Sequence, residues 1–105
     1  MLQSSELKST ELAEELVPFL EDSNETIRFL AVDAVAHQDA DEIVEAPLRK
    51  RLYEEDSLRI VKKITELFAE NKDWKIPEDE QADVEQAIPD EFGIHKEGHI
   101  YRRRI

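Results

Sequence analysis

Cysteine is absent from all 105 residues, which removes a disulfide framework, a thiolate-ligated zinc and a nucleophilic thiol together. Glycine is nearly as scarce, with Gly93 and Gly98 the only two and both near the C-terminus. The glycine-rich loops that cradle nucleotide phosphates, GxGxxG and GxxxxGKS, therefore have no counterpart. The first three-quarters of the chain, rich in Ala, Leu, Glu and Lys, is expected to be helical. Basic charge is short as well: 14 Lys and Arg against 26 Asp and Glu leave a net charge of −12, which opposes bulk attraction to nucleic acid or anionic lipid. No stretch approaches the roughly eighteen apolar residues of a membrane span. "MLQSSELKST" lacks the positive and then apolar segments of a secretory signal. The expectation is a soluble cytoplasmic protein with no nucleic-acid and no membrane partner, of a length that supports one modest core.

What is present is a repeat. Leu12, Leu16 and Leu20 sit four apart, and Val44, Leu48 and Leu52 repeat that spacing 32 positions later. An acidic turn follows each trio, "EDSNE" and then "EEDS", and an aliphatic-Arg pair comes next, Ile27-Arg28 or Leu58-Arg59, at an offset of 31. The pattern predicts helices over 6–21, 25–37, 41–54 and 57–71. Asp22, Ser23 or Asn24, and Asp56 or Ser57, are the residue types that cap such helix starts. Pro18 is expected to kink the first helix, and Pro47 to kink the third or to sit near its start.

The stretches "LVPFLEDSNETIRFLAVDAV" and "LRKRLYEEDSLRIVKKITEL" resemble HEAT repeats from about residue 10 to 71. Each has a Leu-spaced outer helix, an acidic turn and an aliphatic-Arg pair opening the inner helix. The resemblance implies a mainly α fold, an α-α superhelix of two helical hairpins over residues 1–73. It also implies that Arg28 and Arg59 set register against acidic residues of adjacent repeats. In the second copy Lys62 and Thr65 stand where the first has Ala31 and Ala34, a departure from the small residues such inner helices favour. On the first inner helix, Ile27, Leu30, Ala31, Ala34 and Val35 form one apolar stripe, with Phe29, Val32 and Ala36 beside it. Two stripes predict packing on more than one side, and so a core role for Leu30 and a large loss on Leu30→Ala.

Two repeats leave a sticky end that something must cover. After "DWKIPEDEQ" the texture changes. Pro77 opens a short acidic helix with Val84, Ala87 and Ile88 on one side, Phe92 and Ile94 alternate, "HKEG" turns with Gly98 at positive φ, and Ile100 follows. Residues 74–105 thus read as a C-terminal helix and β-hairpin cap built with Trp74 and Ile76. Its "AIPDEFGIHKEGHIYRRR" resembles a tail attached to bacterial HEAT-repeat proteins.

No catalytic, metal or cofactor site is expected. His95 and His99 lie four apart across a turn, not on a helix in HExxH spacing, and read as solvated. His37 sits at a helix end, where it meets the negative dipole. The carboxylate runs face water, the serines have no nucleophile elbow, and no triad ordering stands out. Charge is uneven along the chain: residues 1–48 hold 12 acids and 2 bases, whereas 49–77 hold 6 acids and 8 bases. Helical spacing puts Arg59, Lys62, Lys63 and Glu66 opposite the apolar side of the second inner helix. With Arg28 and Asp33 on the first inner helix, they are the expected contacts to an acidic protein partner. The function implied is a noncatalytic protein-protein interaction scaffold or adaptor. The alternative is an accessory subunit of an enzyme, or a lyase-like HEAT protein holding a small ligand.

Overall fold

The computed structural model describes residues 11–38, 41–71 and 73–103. It is mainly helical, with a two-stranded antiparallel hairpin near the C-terminus. Its contacts divide the chain into two compact units, Met1–Leu48 and Arg49–Ile105, with the division inside the third helix.

In the N-terminal unit α1 runs Leu12–Leu16, and the chain continues as a 3-10 turn over Val17–Glu21. The change comes at Pro18, which has no N–H for an α-type bond and whose ring crowds the preceding turn. Val17 N–H still bonds Ala13 O, and Asp22 N–H closes the 3-10 turn on Phe19 O. The expected kink is thus a tightening of the helix. α2, Glu25–Ala36, starts at Asn24, whose Oδ1 accepts from Thr26 N–H at 2.9 Å and Ile27 N–H at 3.2 Å. Asp22 Oδ1 accepts from Asn24 N–H at 2.8 Å and fixes the cap in turn. Such caps typically contribute about 1 kcal/mol. The part of the first helix predicted before residue 11 lies outside the described residues.

α2 is not buried on two sides. Ala31, Val32 and Val35 are buried, but Leu30 is 59% exposed and Ile27 39%. At about 100° per residue, Ala31, Val35 and Val32 span one arc of the helix and Ile27, Ala34 and Leu30 the arc beside it. The first arc packs with α1 and the 3-10 turn, through buried Ala13 and Leu20. Among the described residues none buries Ile27 or Leu30 on the second. Leu30 is therefore not a core residue, and Leu30→Ala loses little stability because its side chain has little burial to forfeit.

α3, Asp41–Glu54, stays α-helical through Pro47. Val44, Leu48 and Leu52 are fully buried, so the second trio of four-spaced aliphatics is a core row. In the C-terminal unit α4, Leu58–Glu70, buries Ile60, Val61, Ile64, Thr65 and Phe68. Thr65, the departure from small residues, is fully buried with its Oγ1 donating to Val61 O at 2.6 Å, so its hydroxyl is satisfied within the helix.

Beyond α4 come a 3-10 turn at Glu78–Glu80 and α5, Gln81–Ala87. Strands β1, Phe92–Ile94, and β2, Ile100–Arg102, follow, paired Phe92 to Arg102, Gly93 to Tyr101 and Ile94 to Ile100. Gly98 takes φ +105°, and a Cβ there would collide with the Ile76 backbone. Ile76 N–H donates to Gly98 O at 2.8 Å. Glycine is thus required twice over, by conformation and by this close approach. β2 packs on α4. Trp74 meets Phe68 edge-on with ring centroids 4.9 Å apart, and Ile76, Val84, Ile88, Phe92 and Ile100 are buried.

Candidate functional site

The exposed arc of α2 forms one wall of an open groove of about 280 Å³ lined by Leu16, Phe19, Ile27, Leu30, Ala31 and Ala34. Its other wall arises because Pro18 tightens the chain after Leu16, so that Phe19 does not follow Leu20 into the core. Leu20 is 1% exposed and Phe19 49%. Leu12, 38% exposed, lies one turn before Leu16. Isolated exposed leucines are ordinary; a contiguous set of large apolar side chains is a feature of interaction surfaces. Among the described residues every one that lines it is apolar. The carboxylates nearby follow from helix geometry: Glu11 and Glu15 each precede a leucine of the four-spaced row and are exposed, and Asp33 stands one turn beyond Leu30.

The residues expected to meet a partner fall in both units. In the N-terminal unit Arg28 is half-buried, and its Nη1 donates to Asp22 O at 2.9 Å and Ser23 O at 3.3 Å, tying down the turn before its own helix. Asp33 lies one turn before His37, whose Nδ1 is 2.7 Å from Asp33 O and 3.9 Å from its Oδ2. The C-terminal unit holds Arg59 and Lys62, both exposed, and Lys63 and Glu66, both half-buried. Lys62 Nζ is 4.0 Å from Glu91 Oε2, and Glu66 Oε2 is 3.6 Å from Arg102 Nη2. Arg102 Nη1 is 3.9 Å from Glu91 Oε2, and its guanidinium lies 4.9 Å over the Phe92 ring. Lys62, Glu91, Arg102 and Glu66 thus alternate in sign between α4 and the hairpin. Each exposed pair is worth about 0–1 kcal/mol, so the network orients the hairpin more than it holds it. Glu91 and Arg102 were not legible as members: they lie 25 or more positions from Lys62 and Glu66 in sequence, and no local periodicity links them.

Other basic residues are also engaged. Arg49 Nε bonds Glu80 Oε1 at 2.9 Å, and Arg51 Nε lies 3.1 Å from Glu55 Oε1 without hydrogen-bond geometry. Glu55 Oε2 accepts from Ser57 N–H at 3.0 Å, so its buried carboxylate is spent on the start of α4. Tyr53, Glu55, Asp83, Gln86 and Ala87 line a polar depression of about 510 Å³. The Tyr53 phenol is pushed above its ordinary 10.0 by burial and then by Glu80 and Glu54, and stays protonated near neutrality. His95 stacks on Tyr101 at 4.3 Å and lies 6.2 Å from His99, ring to ring. Among the described residues no three His, Asp or Glu side chains converge to hold a metal ion. Nor, among them, is any helix long and apolar enough to cross a membrane.

Comparison with protein-family models, with curated proteins and with solved structures finds no match for this chain.

Proposed function

We propose that the chain is a noncatalytic protein-protein interaction scaffold or adaptor of the HEAT-repeat type. The observation that carries this reading is the groove beside α2, where Phe19, Ile27 and Leu30 stand together in water. Full burial of one such side chain is worth about 1.5–3 kcal/mol, and the fold leaves much of that unused at three neighbouring positions. The groove is open, and among the described residues no polar side chain lines it. A small ligand needs a few placed polar groups to fix its orientation. That is why the enzyme accessory subunit or lyase-like holder of a small ligand stands second.

An acidic protein partner meeting Arg59, Lys62 and Lys63, with Arg28, Asp33 and Glu66, belongs to the same proposal but has less behind it. Lys62 and Glu66 already face opposite charges in the hairpin, and such a partner must displace them. The test is affinity capture from lysate with mass-spectrometric identification, run in parallel on the unmodified chain, on Leu30→Asp, and on Lys62→Glu with Lys63→Glu. The expected result is a protein retained by the unmodified chain and by the double charge reversal but lost with Leu30→Asp. A partner set indifferent to Leu30→Asp sinks the groove as the binding surface. Loss with the double reversal alone moves that surface to α4.

A further inference from the structure

Resting on the scaffold reading, we propose that the α2 groove takes an amphipathic helix of another protein that carries basic residues beside its apolar row. The lining itself sets the apolar half of the match. From Ile27 to Ala34 the α2 wall is eight residues long, about 10 Å or two turns, which matches apolar side chains at i, i+3 or i+4, and i+7 of a docked helix. The basic half comes from charge. Residues 11–38 and 41–48 carry ten Asp or Glu and one Lys or Arg, namely Arg28. That guanidinium is bound to Asp22 O and Ser23 O in the turn. Glu11, Glu14 and Glu15 are exposed on the helix that supplies Leu16, and Asp33 flanks Leu30. A helix with acidic flanks meets repulsion here, and an anionic membrane surface meets the same repulsion. A basic helix is steered in and fixed in register.

The chemistry also argues against a second copy. α4 carries exposed Arg59 and Lys62, but its apolar face is buried, Ile60, Val61, Ile64 and Phe68 being at most 3% exposed. α1 and α2 of another copy would bring more carboxylates to an acidic rim.

The probe is a fluorescently labelled peptide of about 15 residues, long enough for a helix to be populated, with leucines at the i, i+4, i+7 and i+11 positions and lysines on their flanks. Three controls accompany it: the same peptide with glutamates for lysines, the lysine peptide with alanines for leucines, and sedimentation of the protein alone. The expected result is saturable one-to-one binding of the leucine-lysine peptide. It should weaken at least about tenfold in Leu30→Asp and in Glu11→Lys with Glu15→Lys, and fall as salt rises, with neither control peptide binding. Leu30→Asp changes an exposed position, so its fold survives to be tested; the lysine pair checks the rim without touching the lining. Equal binding of the glutamate peptide overturns the basic character. Equal binding of the leucine-free peptide, or binding indifferent to Leu30→Asp, overturns the groove. A dimer that Leu30→Asp dissolves replaces the partner helix with a second copy. If the lysine peptide fails while Leu30→Asp still loses a captured protein, the scaffold reading stands and this partner chemistry falls.

Discussion

Ending the chain after Asp73 is expected to cause self-association or aggregation, with loss of the cooperative melt. The truncation removes Trp74, Ile76, Val84, Ile88, Phe92 and Ile100, each at most 7% exposed. It uncovers the face of α4 on which β2 packs. A fully buried large apolar side chain contributes about 1.5–3 kcal/mol, and a small protein's net stability is only about 5–15 kcal/mol. Losing six together exceeds what the C-terminal unit can absorb. The exposed Ile60, Val61, Ile64 and Phe68 then find partners on other molecules. Sedimentation over a concentration series and a far-UV thermal melt read both effects. A truncated chain of unchanged sedimentation and melting temperature would show that residues 74–103 do not cap α4.

Phe68→Ala is expected to be among the most damaging single substitutions, at about 3–5 kcal/mol. Phe68 is fully buried on α4, and its edge-on contact with Trp74 adds about 0.5–1.5 kcal/mol beyond the area it buries. Phe68→Leu keeps most of the volume and should cost clearly less. Urea unfolding followed at the two variants separates these, through a lower midpoint at unchanged slope. A loss under about 1 kcal/mol in Phe68→Ala would place the ring outside the joint between α4 and the cap.

The two variants mark a division in what the chain discloses before it is folded. The hairpin was legible because its signals are local. Phe92 and Ile94 alternate, and Gly98 can take the φ of +105° that the turn adopts. The cap of α2 was legible for the same reason: Asn24 accepts from N–H groups two and three residues on. Pro18 announced a disturbance, though not its form, because a missing N–H permits either a bend or a tightened turn. Leu30 shows where the reading stops. Periodicity reports that a residue is apolar and which arc of the helix it occupies, not that a neighbour exists to cover that arc. Two apolar arcs implied two neighbours, and the fold places one on Ala31, Val32 and Val35 while Ile27 and Leu30 stay exposed. The candidate site was hidden by that assumption. The charge network of Lys62, Glu66, Glu91 and Arg102 was hidden by distance along the chain.

Arg28 illustrates a residue whose prominence was legible and whose bonds to the turn were not. Its place directly after Ile27 at a helix start was conspicuous, and the family resemblance implied a contact with an adjacent repeat. Its guanidinium bonds the carbonyls of Asp22 and Ser23, satisfying backbone acceptors in the turn that sets where Phe19 and Leu20 stand relative to α2. A positive group there also offsets part of the acidity of "EDSNE".

The central claim is that α2 keeps one apolar arc uncovered, and the absence of native cysteine allows a direct test. Leu30→Cys and Val32→Cys each place a single thiol in the chain, two residues apart on the same helix. Reaction with a thiol reagent under native conditions depends on access at each position. The expected result is that Cys at position 30 reacts at close to its rate in the urea-unfolded chain, while Cys at position 32, where Val32 is fully buried, is strongly protected. Equal protection at both positions would mean that the groove is covered in solution, and would contradict the account.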